Sequence, residues 1–274
     1  MTKLTLILTL TLTLLIATVS NAALIAYEPF DYAPTNGLND LNGGTGWDGG
    51  WYNANGDSHI IASPGMAFTN VNPLTTAGNF GMANTSCNWS RASRDFSSPL
   101  ESSAGTTNWF SFLASIEADT NHYRQYLIGF QSEVSDDNVR FMTAGYYENG
   151  QWFLNQFAGA DQLSGHPSIS NETIFVVIEK ANGAVRDTWT AWINPPVNQA
   201  PNYSASFGGT YTNSVVTGVH FWKGGPPATR YFEGRVDEFR IGESWEDVNV
   251  SVIPEPMVLG FIGLGLLALL RKNR

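Results

Sequence analysis

Paired carboxylates are the first residues to examine for chemistry, because retaining glycoside hydrolases need two carboxyl groups about 5–5.5 Å apart. Residues i and i+2 of a strand face the same side of a sheet, and Glu117 and Asp119 have this spacing at the end of a predicted strand. Position 122, three residues after Asp119, is a histidine (His122) rather than a further carboxylate. Asp237 and Glu238 are adjacent and are therefore expected to point to opposite faces. Glu117 and Asp119 remain weak catalytic candidates, and the sequence predicts a protein that is not an enzyme.

Nucleophilic and thiol chemistry has no better support. None of the four histidines belongs to a Gly-x-Ser-x-Gly elbow or a His-Glu-x-x-His helix. Cys87 is the one cysteine, so neither an intrachain disulfide nor a cysteine-based metal cluster can form. A catalytic thiol needs a partner histidine and an activating environment, and the residues around Cys87 supply neither. The histidines, expected at the surface or in satisfied core positions, are His59, His122, His166 and His220.

The loop over residues 36–57 is rich in glycine, asparagine and aspartate. Carboxylates, amides and backbone carbonyls are the oxygen ligands that Ca²⁺ takes, although the glycine comes too early for an EF-hand pattern. Turn formation favours the same residue types, so a calcium site and plain turn chemistry both stay open. No other cofactor is predicted. The calcium candidates are Asp48, Asn53, Asn55 and Asp57.

Aromatic residues in predicted loops and at strand ends can stack on the apolar faces of sugar rings. Trp222 stands at the end of a predicted strand, before the loop that begins at Gly224, and binding residues often lie in such loops. Most tryptophans of a β-sandwich instead pack in its core, which is the alternative for each candidate. The candidate ligand contacts are Trp47, Trp51, Tyr52 and Trp222.

The charge of the chain limits its partners. The formal net charge is −10, and the two ends together carry four basic residues and one acidic residue, so the central part is more acidic than the whole. An acidic surface repels phosphate backbones, which argues against nucleic-acid binding. The low charged fraction, with many glycine and aromatic residues, is typical of a folded β-rich domain rather than a disordered chain.

Period-two alternation of apolar and polar residues dominates the middle of the chain and predicts about twelve short strands. Residues 109–116 show it clearly. Residues 139–147 and 151–157 flank a Glu-Asn-Gly turn and are expected to form a hairpin. Residues 25–28 and 235–241 are expected to pair and bring the ends of the domain together. The predicted fold is an all-β antiparallel sandwich.

The N-terminal segment has the three parts of a secretory signal peptide. A basic residue at Lys3 precedes an apolar run, and small residues follow it at the −3 and −1 positions. We expect signal peptidase to cleave between Ala22 and Ala23. A retained membrane anchor or a buried helix is the alternative. The chain thus divides into a signal peptide (1–22), one β-sandwich domain (23–250) and a C-terminal segment (251–274).

The C-terminal segment consists of a Pro-Glu-Pro motif, the apolar span 257–270 and a basic tail. This arrangement resembles the PEP-CTERM sorting signal of Gram-negative bacteria. The resemblance implies recognition by an exosortase, transient anchoring in the inner membrane through a hydrophobic helix, and delivery to the cell surface or extracellular matrix. An ordinary C-terminal anchor is the alternative. The matching residues are Pro254, Glu255, Pro256, Arg271, Lys272 and Arg274.

Three short segments of the domain resemble the concanavalin A-like, laminin-G-like jelly roll. They are residues 27–32 with the loop 43–47, residues 190–195, which look like a penultimate strand, and residues 234–242, which look like a closing strand. The combination of this resemblance with the sorting tail predicts a non-enzymatic surface protein that binds carbohydrate or forms part of the polysaccharide matrix. A glycoside hydrolase or lyase with a non-standard site and a protein-binding adhesion module are the alternatives.

Overall fold

The structure is a computed structural model. It describes residues 24–34, 37–52, 59–69, 74, 76, 78–83, 90–118, 125–132, 139–143, 150–156, 162–167, 169–223 and 232–250. Residues Leu24–Ser251 form one compact unit. The predicted signal peptide and sorting segment lie outside the described residues and stay predictions. Within the described ranges, no helix has the length and apolar character needed to cross a membrane.

Fourteen strands make up the described part of the fold, and every pairing between them is antiparallel. The strands are β1 (Leu24–Glu28), β2 (His59–Ala62), β3 (Phe80–Ala83), β4 (Ser90–Asp95), β5 (Thr107–Ala118), β6 (Gln125–Ser132), β7 (Val139–Thr143), β8 (Gln151–Gln156), β9 (Gln162–Pro167), β10 (Ile174–Ala181), β11 (Arg186–Ile193), β12 (Phe207–Thr212), β13 (Val216–Lys223) and β14 (Phe232–Gly242). A 3₁₀ turn (Tyr203–Ala205) and a short helix α1 (Trp245–Val248) complete the set.

The strands form two sheets. The eight-stranded sheet has the order β12-β11-β10-β5-β14-β3-β2, with β1 also paired to β14, and the six-stranded sheet has the order β4-β13-β6-β7-β8-β9. The all-β antiparallel architecture predicted from alternation is confirmed. The predicted pairing of the first and last strands and the predicted β7–β8 hairpin are also present.

The main core lies between the two sheets. Phe110 of β5 contacts Phe130 of β6, with ring centroids 4.5 Å apart, and Phe130 lies 5.0 Å from Trp189 of β11. Each of these side chains is fully buried. Burial of apolar surface between the facing sheets is therefore the main source of stability.

The outer face of the eight-stranded sheet is covered by a second apolar cluster. Trp109, Leu113 and Phe175 point away from the main core and pack with Trp245 and Val248 of α1. Strands β5 and β10 are consequently buried on both faces, which explains why each strand has apolar residues on both of its faces. The outer face of β5 and β10 is therefore occupied by apolar packing.

A β-bulge interrupts the closing strand β14. Asp237 pairs with Leu113, whereas Arg240 pairs with Ser111, so β14 has one extra residue. Glu238 takes a positive φ of 53°, and its carboxylate lies 2.9 Å from the Arg240 guanidinium. Val236 and Phe239, on either side, both point into the main core. The expectation that Asp237 and Glu238 point to opposite faces is wrong, because the bulge breaks the alternation.

We predict that Asp237 makes the stability of the fold depend on pH. Its carboxyl accepts hydrogen bonds from the backbone N–H groups of Met66 (2.9 Å) and Glu238 (2.8 Å). Burial nevertheless raises the pKa of Asp237 from 3.8 to about 9. The native state then binds the proton more tightly than the unfolded state, so this contribution to stability is complete below pH ~4 and is lost as the pH rises towards ~9.

Urea denaturation at several pH values, on the native protein and on Asp237→Asn, measures this contribution. The native protein should lose more stability than Asp237→Asn between pH ~5 and ~8.5. Parallel pH profiles for the two proteins would contradict the assignment.

Candidate functional site

A buried ion pair connects the two sheets beside the loop over residues 36–57, which we call the Asp-rich loop. Arg94 of β4 contacts Glu28 of β1, and both side chains are fully buried. Glu28 also accepts hydrogen bonds from Phe30 N (2.8 Å), Tyr32 Oη (2.9 Å) and Trp51 Nε1 (3.0 Å). Burial raises the pKa of Glu28, and the Arg94 charge and these donors oppose the rise. The negative charge of Glu28 is therefore balanced by Arg94 and by three hydrogen-bond donors.

The same arginine organises the loop. Arg94 Nε donates to Gly49 O at 3.1 Å, and Nη2 donates to Asn42 Oδ1 and Gly43 O, each at 2.9 Å. Three loop oxygens are thus bound to a guanidinium. Because a guanidinium has five N–H donors in a fixed plane, it can hold several loop oxygens at once.

The hydrogen bonds of Arg94 bear on the prediction of a calcium site in this loop. Asp48 is exposed, and the cation that the described loop oxygens surround is Arg94. The other three candidates, Asn53, Asn55 and Asp57, lie outside the described residues, so calcium there stays a prediction. Among the described residues, no group of three or more His, Cys, Asp or Glu side chains could hold a metal ion.

Two of the four aromatic candidates belong to this loop anchor rather than to a ligand surface. Trp51 is only 2% exposed and stacks on Phe30 at 5.8 Å. Trp47 is partly buried, packs on Phe96 at 5.4 Å and lies beneath the Arg94 guanidinium at 4.9 Å. The prediction that Trp51 contacts a ligand is wrong, because its ring is enclosed in the core. Trp47 is similarly committed to the anchor.

The other two aromatic candidates lie on the outer face of the six-stranded sheet. There they share a partly exposed patch with three polar side chains from neighbouring strands. This patch, which we call the polar face, consists of Tyr52, Arg91, Asp95, Gln131 and Trp222. It is the only predicted ligand area in which described side chains converge.

Strand register assembles the polar face in rows. Asp95, Gly218 and Gln131 lie side by side on β4, β13 and β6. Since Gly218 has no side chain, Asp95 and Gln131 flank a gap in the surface. A Cβ at Gly218 would lie 2.5 Å from the Arg94 carbonyl oxygen and 3.0 Å from Asp95 Oδ1. The close approach of β4 therefore requires glycine at this position.

Tyr52 spans this gap. Its backbone pairs with Ser93, which extends the sheet by one residue beyond β4. Its hydroxyl donates to Asp95 Oδ1 at 2.9 Å and lies 3.5 Å from Gln131 Oε1. Burial, with the Asp95 hydrogen bond and charge, raises the pKa of Tyr52 to about 12. The phenol therefore stays a neutral hydrogen-bonding group at physiological pH.

The next rows contain His220 and Trp222 of β13. His220 Nδ1 lies 2.8 Å from Ser93 Oγ, and both side chains are buried. Trp222 is in register with Arg91, whose guanidinium carbon lies 5.8 Å from the indole ring. A cation over an aromatic ring is attracted by its negative face, so Arg91 helps to orient the indole.

The carboxylate candidates do not contribute to this face. Glu117 is exposed on the eight-stranded sheet, where Arg235 donates to it at 3.0 Å and to Glu233 at 3.2 Å. Asp119 lies outside the described residues. Glu233 is the cross-strand partner of Glu117, and Arg235 binds both carboxylates. A surface ion-pair network therefore accounts for the position of Glu117.

Sequence analysis missed Arg91, Asp95, Gln131 and the buried Ser93–His220 pair. A signal for part of this set was present, because Arg91, Ser93 and Asp95 alternate with buried Ala92 and Arg94 along β4. Their neighbours on β13 and β6 are distant in sequence. Only the strand register brings them together.

Comparisons with known proteins give a likeness of fold. No family model matches the sequence, and no curated protein matches it significantly. An alginate lyase from Corynebacterium sp. is similar in structure, with a TM-score of 0.41 and 10% identity over 64% of this chain and 74% of that one. A domain of an extracellular arabinanase from Geobacillus stearothermophilus, solved with arabinotriose, has a TM-score of 0.42 and 14% identity over 84% and 98%. Lectin II from Ulex europaeus has a TM-score of 0.38 and 11% identity over 70% and 96%.

We predict that Arg94→Met destabilises the protein by about 3–5 kcal/mol, because it leaves the Glu28 carboxylate buried without its partner. Urea denaturation followed by tryptophan fluorescence measures the loss. The matched control is Arg235→Met, which breaks a partly exposed pair and should cost about 0–1 kcal/mol. Equal losses for the two variants would contradict the central position given to Arg94.

Proposed function

We propose that the protein is an exported carbohydrate-binding protein that uses the polar face of its six-stranded sheet. The observation that supports this most strongly is the position of Trp222. A partly exposed indole shares one sheet face with Arg91, Asp95 and Gln131. Sugar rings combine apolar faces with hydroxyl groups. The indole can stack on an apolar face, and the three polar side chains can hydrogen-bond to hydroxyls.

The polar groups match the hydrogen bonding of hydroxyls. Asp95 accepts, Arg91 donates, and the Gln131 amide does both. A sugar hydroxyl both donates and accepts, so vicinal hydroxyls can bind planar carboxylate, amide and guanidinium groups in pairs. The Tyr52 hydroxyl lies between Asp95 and Gln131 and adds one further hydrogen-bonding group to the set.

The side chains of the polar face are held on paired strands, which favours a preformed binding surface. Arg91, Asp95, Gln131 and Trp222 lie on hydrogen-bonded strands, and Tyr52 is fixed by its pairing with Ser93. Preorganised side chains lose less conformational entropy when a ligand binds. We infer that the two sheets form a concanavalin A-like jelly roll and that the polar face is its ligand-binding surface.

Export and surface sorting complete the proposal. They rest on the signal-peptide pattern of 1–22, on the Pro254-Glu255-Pro256 motif and on the tail that follows it. Signal peptidase and exosortase are the implied processing partners. Mass spectrometry of the mature protein tests this: it should begin at Ala23 and lack residues 257–274. Retention of that span would contradict exosortase processing.

We predict that Trp222→Ala weakens polysaccharide binding at least about tenfold, because an aromatic contact of ~1.4 kcal/mol is lost. Binding should be measured by affinity electrophoresis with polysaccharide from the matrix of the producing cell and with soluble neutral and anionic polysaccharides. A chelator arm separates calcium-dependent from calcium-independent retention.

The matched control is Tyr203→Ala, which removes a 59% exposed aromatic side chain elsewhere and should leave retention unchanged. Loss of retention with Tyr203→Ala but not with Trp222→Ala would contradict the polar face as the site. No retention of any polysaccharide by the native protein would favour a structural role or the adhesion of proteins.

A polysaccharide hydrolase or lyase is the second candidate, favoured by the Ser93–His220 hydrogen bond beneath the polar face. Histidine is the commonest general acid–base residue, and Tyr52 supplies a second proton-carrying group nearby. Measurement of released reducing ends and of new ultraviolet absorbance, with His220→Gln as the variant, separates this candidate from binding alone. Release that depends on His220 would move the protein to the enzyme class.

A further inference from the structure

A groove separate from the polar face lies where the chain crosses between the two sheets. Its volume is about 430 Å³, within the range of small-ligand sites of roughly 300–1,000 Å³. Its walls are formed by the beginning of β5, the segment after β4, Ile25 of β1 and Glu243, which follows β14. The polar residues that line it are Ser97, Ser98, Glu101, Thr106, Thr107, Asn108 and Glu243.

Asn108 is the unusual member of this lining. The residue is only 1% exposed, and its Nδ2 atom has no hydrogen-bond partner among the described residues. An unsatisfied buried polar group costs about 1–3 kcal/mol, so such groups are rare in folded proteins. A donor of this kind at the wall of an open groove indicates a partner that comes from outside the chain.

The orientation of the Asn108 amide follows from a buried ion pair. Lys180 Nζ lies 2.9 Å from Asp187 Oδ2 and also donates to Asn182 Oδ1. A lysine ammonium has only donors, so the oxygen of Asn182 must face it. The Asn182 Nδ2 group then donates to Glu101 O (3.0 Å) and Thr106 Oγ1 (2.8 Å).

The orientation of the Asn182 amide in turn fixes the orientation of the Asn108 amide. Asn182 Nδ2 lies 3.4 Å from Asn108 Oδ1. If the Asn108 amide were turned the other way, its NH₂ group would face the NH₂ group of Asn182. That contact is unfavourable because both groups are hydrogen-bond donors. The Lys180–Asp187 pair therefore determines, through Asn182, that Asn108 turns its oxygen towards Asn182 and leaves its buried NH₂ group unpaired among the described residues.

The other charged groups of the groove define what can bind there. Glu101 and Glu243 are exposed carboxylates, which accept hydrogen bonds and repel anions. Glu101 Oε1 is fixed by the backbone N–H groups of Ser102 (2.9 Å) and Ser103 (2.7 Å). An ammonium ligand or a metal ion would suit the carboxylates but could not accept a hydrogen bond from Asn108.

We propose that this groove is a second binding site, which takes a neutral, hydroxyl-rich sugar unit and discriminates against uronates. A hydroxyl oxygen accepts from Asn108 Nδ2, and neighbouring hydroxyls donate to Glu101 and Glu243. The site lies apart from the polar face and does not depend on the function proposed for that face.

The test is an NMR titration of ¹⁵N-labelled full-length protein carrying Trp222→Ala, which weakens binding at the polar face. The probes are glucose, galactose, mannose and glucuronate, each up to about 50 mM, well above a millimolar Kd. At least one neutral hexose should shift the Asn108 side-chain NH₂ signals saturably, and glucuronate should bind about tenfold more weakly than that hexose. The absence of a saturable shift with all three hexoses, or glucuronate binding as tightly, would overturn the proposal.

Three further variants make the test specific. Asn108→Leu keeps the side-chain volume and should weaken hexose binding about tenfold. Glu101→Gln with Glu243→Gln changes two exposed groups, so the fold is kept even if Asn108→Leu does not fold, and it should abolish the discrimination against glucuronate. Glu117→Gln, an exposed carboxylate of the eight-stranded sheet, is the control and should change neither affinity. Unchanged hexose binding in Asn108→Leu or unchanged discrimination in the double variant would contradict the assignment.

Discussion

The buried contact between Glu28 and Arg94 is the interaction on which the rest of the site region depends. It joins β1 of the eight-stranded sheet to β4 of the six-stranded sheet, and it holds three oxygens of the Asp-rich loop. A chain with one cysteine has no intrachain disulfide for this purpose. A fully compensated charge pair provides the link, and its loss would leave a buried charge unpaired.

The position of Arg94 also explains how the two sheets differ in use. Arg94 and Ala92 face the core, so Arg91, Ser93 and Asp95 must face outward. Around β5 and β10, the outer face of the eight-stranded sheet is covered by α1 and the second apolar cluster. The polar groups of β4 instead meet those of β13 and β6 in register, and the Tyr52 hydroxyl bridges Asp95 and Gln131 across Gly218.

Much of the architecture could be predicted from the sequence, because alternation is a local property. The β-class, the β7–β8 hairpin and the pairing of the first and last strands all follow from short segments. The bulge at Asp237 and Glu238 was missed, because it depends on the partner strand rather than on β14 alone. Trp51 was misassigned because its burial results from Arg94 and Glu28, which are distant in sequence. The polar face needed the register of β4, β13 and β6, which no local pattern contains.

The central claim is that carbohydrate binds on the outer face of the six-stranded sheet. The most direct measurement is chemical-shift mapping of full-length protein with an oligosaccharide cut from any polysaccharide that the protein retains. We expect saturable shifts of the Trp222 indole and Gln131 amide signals, and none at the indole of Trp51, which is enclosed in the core. Shifts confined to the eight-stranded sheet, with the Trp222 and Gln131 signals unchanged, would contradict the account.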